Sequence, residues 1–278
     1  ADIPAEVASE FESARERFIE AVAEADDVLA DKYLEGEELT PEEIISGAHQ
    51  AILRGDLVPI LASSATQNIG VSEFLEMARE FLPSPEEGVK PVMTDNSSGS
   101  ESDLNVDPAA PLAAFVFKTT ADPFVGKLSV FRVYQGTIKS NSEVWSIRRN
   151  QTERIGQLYM PRGKSQENIA EVTAGDIGAI GKLTSTVTGD TLCNRENAVI
   201  FESVIFPVGY YSVAVSPATK SDLDKMSSSL ARIVEEDPSL SVSRHLETSE
   251  TVLTGLGEAQ IDVAIDRIRR KFGADLKV

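Results

Sequence analysis

The hydrophobic period of this chain changes twice along its length, so it cannot close around one layered core. Val7, Phe11, Ala14, Phe18, Val22, Ala25, Leu29 and Tyr33 recur at steps of three or four, the apolar stripe of one long amphipathic helix over residues 5–33. Thr40-Pro41-Glu42-Glu43 predicts a second helix start, because threonine caps, proline suits the first turn and Glu43 can complete a capping box. Gly55-Asp56 ends it. LVPILA (57–62) is an apolar run between turn signals and is expected as a buried strand. Val71, Phe74, Leu75, Ala78 and Leu82 form a further helical stripe, stopped by Pro83-Ser84-Pro85. From residue 112 the period becomes two. LAAFVFK, KLSVFRVYQG, SEVWSIR, ERIGQLYM, DIGAIGKL and VIFES read as strands, separated by turn signals such as Asp122-Pro123, Asn141-Ser142 and Gly175-Asp176. The simplest such domain is a small closed barrel.

From about residue 209 the two periods alternate. YYSVAVSP reads as a strand, and Leu223, Met226, Leu230 and Ile233 as a helical stripe. SLSVSRH and TVLTGLG are strands around the polar turn Glu247–Glu250. Ile261, Ala264, Ile265, Ile268 and Phe272 make a second stripe, and ADLKV a last strand. The order βαββαβ is the ferredoxin-like split unit. The expected fold is therefore multidomain α+β. Residues 1–85 form the tail of an α/β domain, 86–110 a flexible linker, 111–208 a β-barrel and 209–278 a ferredoxin-like domain. The linker carries PSPEEG, DNSSGSESD and NVDP, and its centre is expected to be disordered.

The net charge of −19 is concentrated at the front. Residues 1–85 hold 19 acids and 5 bases, whereas residues 112–208 hold 9 acids and 11 bases. An acidic helical surface is either solvated or the docking face for a protein partner. The mildly basic middle leaves phosphate contact open. Cys193 is the only cysteine, which excludes an internal disulfide and suits a reducing, cytoplasmic compartment. No apolar run approaches the roughly 20 residues that span a bilayer, so no membrane partner is expected. The chain begins inside a helical pattern without a charged-then-apolar leader, as expected of a piece of a longer protein.

Catalytic and metal motifs are sparse. His49 and His245 have no zinc spacing, and no nucleophile elbow is present. MPRGKSQ (160–166) contains Gly163-Lys164-Ser165, the end of a phosphate-binding loop, but Leu158 stands where that motif needs a glycine. The segment is expected to join two barrel strands. Thr219-Lys220-Ser221-Asp222 imitates a guanine-reading motif with the wrong first residue, and is expected as a helix N-terminus.

Several segments together resemble the translational GTPases, and among them the elongation factor G family. KYLEGEELTPEE (32–43) is similar to the helical subdomain inserted in that family's G domain. LVPILASSATQNIGV (57–71) resembles its last guanine-nucleotide motif, with Ser64-Ala65 at the serine-alanine pair. FKTTADPFVGKLSVFRVYQGTI (117–138), AGDIGAIGKL (174–183) and TGDTLC (188–193) resemble domain II. LARIVEEDPSLSVSRHLET (230–248) and TGLGEAQIDVAIDRIRRKFG (254–273) resemble domain III. Two departures stand out. Ala259 and Gln260 replace the usual leucine and histidine, and MPRGKSQENI looks closer to a divergent subgroup.

The resemblance implies a parent protein that binds the ribosome, hydrolyses GTP with magnesium and promotes movement of transfer and messenger RNA. Residues 1–85 would be the end of its G domain with the inserted helices. This piece would lack the catalytic motifs and is expected to be inactive, with no cofactor of its own. Ser64 and Ala65 would lie against guanine in the parent. Small-subunit ribosomal RNA would be met by domain II, with Lys127, Arg148, Arg149, Arg154, Arg162 and Lys164 as candidates. Domain III bases cluster at Arg267, Arg269, Arg270 and Lys271, where a solvated helix end explains them equally well. Further partners implied are small-subunit proteins and a ribosomal stalk protein at the acidic helices. Alternatives are a non-catalytic interaction module with an acidic docking face, or the core of a ribosomal-protection or recycling factor.

Overall fold

A computed structural model describes residues 3–122, 126–163 and 165–278. The chain divides into two compact units, Ala1–Val89 and Lys90–Val278.

The first unit is helical. Its helices are α1 (Ala8–Ala23), α2 (Asp27–Leu34), α3 (Pro41–Arg54) and α4 (Val71–Phe81). The single long helix expected over 5–33 is broken. The Asp26 carboxylate accepts from the backbone N–H of Val28 and Leu29, capping α2 as a separate helix. The capping box at the start of α3 forms: the Thr40 hydroxyl accepts from Glu43 N and the Glu43 carboxylate from Thr40 N. Gly55 closes α3 at φ 83°. Val22, Ala23, Leu29 and Ala48 make a small core, with Leu39, Leu57 and Phe81 packed on it. The helices approach closely at Gly47, where a Cβ would lie 2.6 Å from Val22 Cγ1. Arg54 Nη1 donates to Ala25 O at 2.6 Å, tying the end of α3 to the corner between α1 and α2.

The strand expected at 57–62 does not form. Val58 is 75% and Ile60 94% exposed, and no element is assigned there. A strand needs a neighbour to take its ladder hydrogen bonds, and among the described residues this unit contains no strand to pair with it. Ser64 and Ile69 instead close a tight turn through a two-way backbone pairing, Ser64 N to Ile69 O and Ile69 N to Ser64 O.

The second unit opens with β1 (Met93–Asp95) and β2 (Glu101–Ser102), inside the stretch expected as a flexible linker. Met93 pairs with Phe201, and Met93 and Leu104 are buried with Ala113, Cys193, Val199 and Phe201. The polar run between the two strands supplies its own partners: the Asp95 carboxylate accepts from Ser97 N and Ser98 N. A serine-rich run therefore makes a hairpin turn, because an Asx-type carboxylate satisfies it locally.

The barrel strands are β3 (Ala113–Asp122), β4 (Gly126–Gln135), β5 (Thr137–Lys139), β6 (Glu143–Ser146), β7 (Gln151–Arg154), β8 (Leu158–Arg162), β9 (Ser165–Ile169), β10 (Glu171–Thr173), β11 (Ile177–Gly181), β12 (Thr191–Cys193) and β13 (Val199–Phe201). Eight of them run in the order β7-β6-β12-β3-β4-β11-β8-β9, while β5 pairs with β10 and β13 with β1. Val144 near one end of that order and Leu158 near the other share a core with Phe131, Val133 and Ile180. The sheet is thus rolled round one interior, as its two-residue period anticipates.

The last domain comprises β14 (Tyr211–Pro217), α5 (Lys220–Glu236), β15 (Ser241–Arg244), β16 (Thr251–Gly255), α6 (Glu258–Phe272) and β17 (Leu276–Lys277). Its antiparallel sheet runs β15-β16-β14-β17, the ferredoxin-like arrangement. Leu230 and Ile233 of α5 and Ile261 and Ile268 of α6 pack against Val215 and Leu253 of the sheet. Thr219 and Asp222 form the capping box of α5. The barrel and this domain meet where the Glu236 carboxylate accepts from Ala121 N and from Lys271 Nζ.

Candidate nucleic-acid interface

The candidate bases of the barrel fall in separate places and differ in how they are held. Arg148 and Arg149 occupy the turn between β6 and β7. Arg148 Nε lies 2.9 Å from Asp190 Oδ1, on a side chain wholly removed from solvent. Its Nη2 donates to Ser203 Oγ at 3.2 Å. Arg149 Nε donates to Ser185 O at 3.2 Å. Both guanidinium groups are therefore fixed while part of each remains exposed.

The framework behind them is a buried carboxylate. Glu153 on β7 is 5% exposed and accepts from Thr184 N, Ser185 Oγ, Thr186 N and Thr186 Oγ1. Burial alone would raise its pKa, but these donors outweigh burial and hold it below the usual glutamate value. Asp190 goes the other way. Burial lifts its pKa, opposed by the Val187 N–H and by the charges of Arg148 and Arg149. Sequence reasoning missed both acids, because nothing local to either distinguishes a framework carboxylate from a surface one.

Arg154 sits at the far end of β7, exposed and without an ion-pair partner among the described residues. Arg162 reaches the tip of the β8–β9 hairpin and pairs with Glu167 at 3.2 Å, both side chains being mostly exposed. MPRGKSQ is thus part of a strand-turn-strand, with Gly163 at φ 58°, as its failed spacing required. Lys164 lies outside the described residues. Lys127 leaves the group: its side chain is 14% exposed and lies 4.0 Å from Glu235 of α5, so it serves the contact between domains.

The turn bearing Ser64 and Ala65 offers only backbone and small side chains. Ser64 is half-buried and Ala65 exposed, and no charged residue occurs between Asp56 and Glu73. The turn offers no carboxylate to hold magnesium. Among the described residues no cluster of three or more His, Cys, Asp or Glu could hold a metal ion. No helix is long and apolar enough to cross a membrane.

A barrel followed by a ferredoxin-like domain is the order expected of domains II and III of a translation factor, and comparison with known proteins agrees. Residues 111–195 match the family model of elongation factor G domain 2, and residues 206–278 that of elongation factor G, domain III. A crystal structure of a Thermus thermophilus protein superposes with a TM-score of 0.78 at 31% identity, covering 100% of this chain and 39% of that one. The chain belongs to the elongation factor G family. It spans about two fifths of the length of the Thermus chain.

Proposed function

We propose that this chain serves a ribosome-bound, GTP-driven translation factor acting in the cytoplasm on transfer and messenger RNA, and that its barrel meets small-subunit ribosomal RNA. The observation that carries the reading is the held pair Arg148 and Arg149. Two guanidinium groups are held by Asp190 and by the Ser185 carbonyl, in the turn between β6 and β7. Locked, part-exposed arginines position a phosphate backbone without reading sequence. Arg154 and Arg162 are further exposed arginines of the barrel, the latter paired with Glu167. GTP and magnesium belong to the whole factor. Ser64 and Ala65 border the guanine there, and this chain by itself does not hydrolyse GTP. The acidic helical unit docks a ribosomal stalk protein.

The test is co-sedimentation with ribosomes over a salt series. Arg149→Glu combined with Arg154→Glu is expected to abolish pelleting at moderate salt, and wild-type pelleting should weaken steeply as salt rises. Undiminished pelleting of that variant would sink the barrel reading. Pelleting carried by residues 1–55 alone would favour the acidic docking module instead.

A further inference from the structure

A second cationic feature is independent of the ribosome reading. Lys118 on β3 faces the second half of α6 across a cleft of about 480 Å3, into which Arg267, Arg270 and Lys271 also project. Glu236, only 7% exposed, lies at its side and holds Lys271 at 2.6 Å. Arg270 is paired with Asp266 at 2.6 Å. Lys118 and Arg267 are exposed, and neither side chain has a hydrogen bond or ion pair among the described residues. A helix end rich in bases is explained by the helix dipole. That account does not bring Lys118 of another domain to the same place. Nor does general charge balance, since the chain carries −19 overall. Two uncompensated cations in one concave space focus positive potential there and attract an anion.

We propose that this cleft binds a compact oligophosphate anion, which bridges Lys118 of the barrel to Arg267 of the ferredoxin-like domain. The volume lies within the range of small-ligand sites. A compact anion can engage both walls together, whereas a nucleic-acid strand engages bases set in a row along one surface. Arg270 and the Thr120 side of the cleft add further donors. Glu236 keeps Lys271 and the two domains in register whether or not the site is filled.

The probe is inorganic tripolyphosphate, titrated calorimetrically into the full chain at low salt. Saturable 1:1 binding is expected. The double variant Lys118→Ala/Arg267→Ala should bind at least about 100-fold more weakly, since each lost charge-assisted bond is worth tenfold or more. Both residues are exposed and unpaired, so the variant should keep its circular dichroism spectrum and melting temperature. Lys118→Gln/Arg267→Gln provides a second, bulkier removal of the same charges. Arg244→Ala on β15 should leave binding unchanged. The proposal is overturned by an absence of saturable heat, by undiminished binding in both double variants, or by equal loss in Arg244→Ala. It is also overturned if a single-stranded RNA oligonucleotide binds through Lys118 and Arg267 and tripolyphosphate fails to displace it.

Discussion

Replacing Glu153 tests whether one buried carboxylate organises the arginine turn. Its four donors come from Thr184, Ser185 and Thr186, and two of them are backbone N–H groups. In Glu153→Ala the two hydroxyls can turn to other acceptors and Thr184 lies at the surface, but the Thr186 N–H stays buried and unsatisfied. Such a group costs about 1–3 kcal/mol and the other three bonds are lost as well, partly offset by no longer burying a carboxylate, so a net loss of about 2 kcal/mol is expected. Glu153→Gln keeps one acceptor oxygen and points an NH2 at donors; about half that loss follows. Urea unfolding at pH 7 measures both. For a cooperative unit of this size the alanine variant should melt roughly 4–8 °C lower. The sign with pH is fixed. Because the folded pKa of Glu153 is depressed, its contribution is full above the unfolded value near 4.5 and fades as pH falls through the folded value. The gap between wild type and Glu153→Ala must therefore narrow in acid. A loss below about 0.5 kcal/mol at pH 7, well short of the hydrogen-bond accounting, or a gap that widens toward acid, would refute the reasoning.

Gln260 accepts from Leu256 N at 2.6 Å and donates to Asp237 and Ser239, joining the start of α6 to the loop after α5. Gln260→Ala should cost about 2 kcal/mol in chemical denaturation, and a neutral result would remove it from the domain's framework. Gly136 sits at φ 77°, and a Cβ there would come within 2.7 Å of Leu112 Cα. Gly136→Ala is expected to destabilise by about 2–4 kcal/mol, and thermal melting within about 1 °C of wild type would contradict it. Asp95 is held at a pKa of about 2, first by the Ser97 hydroxyl and then by the Ser98 N–H and hydroxyl and the Ser97 N–H. Its support of the β1–β2 turn is full above about pH 4 and lost toward pH 2. A carboxyl NMR titration with its midpoint at the ordinary aspartate value of 3.8 or higher would disprove it.

Features decided within a few residues were legible without coordinates. The capping box at Thr40, the αL stop at Gly55, the βαββαβ order after residue 209 and the hairpin at MPRGKSQ all depend on local backbone chemistry. Three expectations failed, two of them because partners far along the chain, or their lack, decided the outcome, and one because a local cap was overlooked. Residues 57–62 have strand composition but, among the described residues, no strand beside them. The 5–33 stripe continues in sequence past a corner that Asp26 caps. The supposed linker pairs with residues 199–201, about a hundred positions away.

The functional surface divides the same way. Composition showed that the middle of the chain is basic. It could not show that Arg148 is held by Asp190, that Lys127 turns to Glu235, or that Lys118 faces Arg267. A period records which side of an element is apolar. The partner of a charge depends on which elements fold against each other, and only long-range packing settles that.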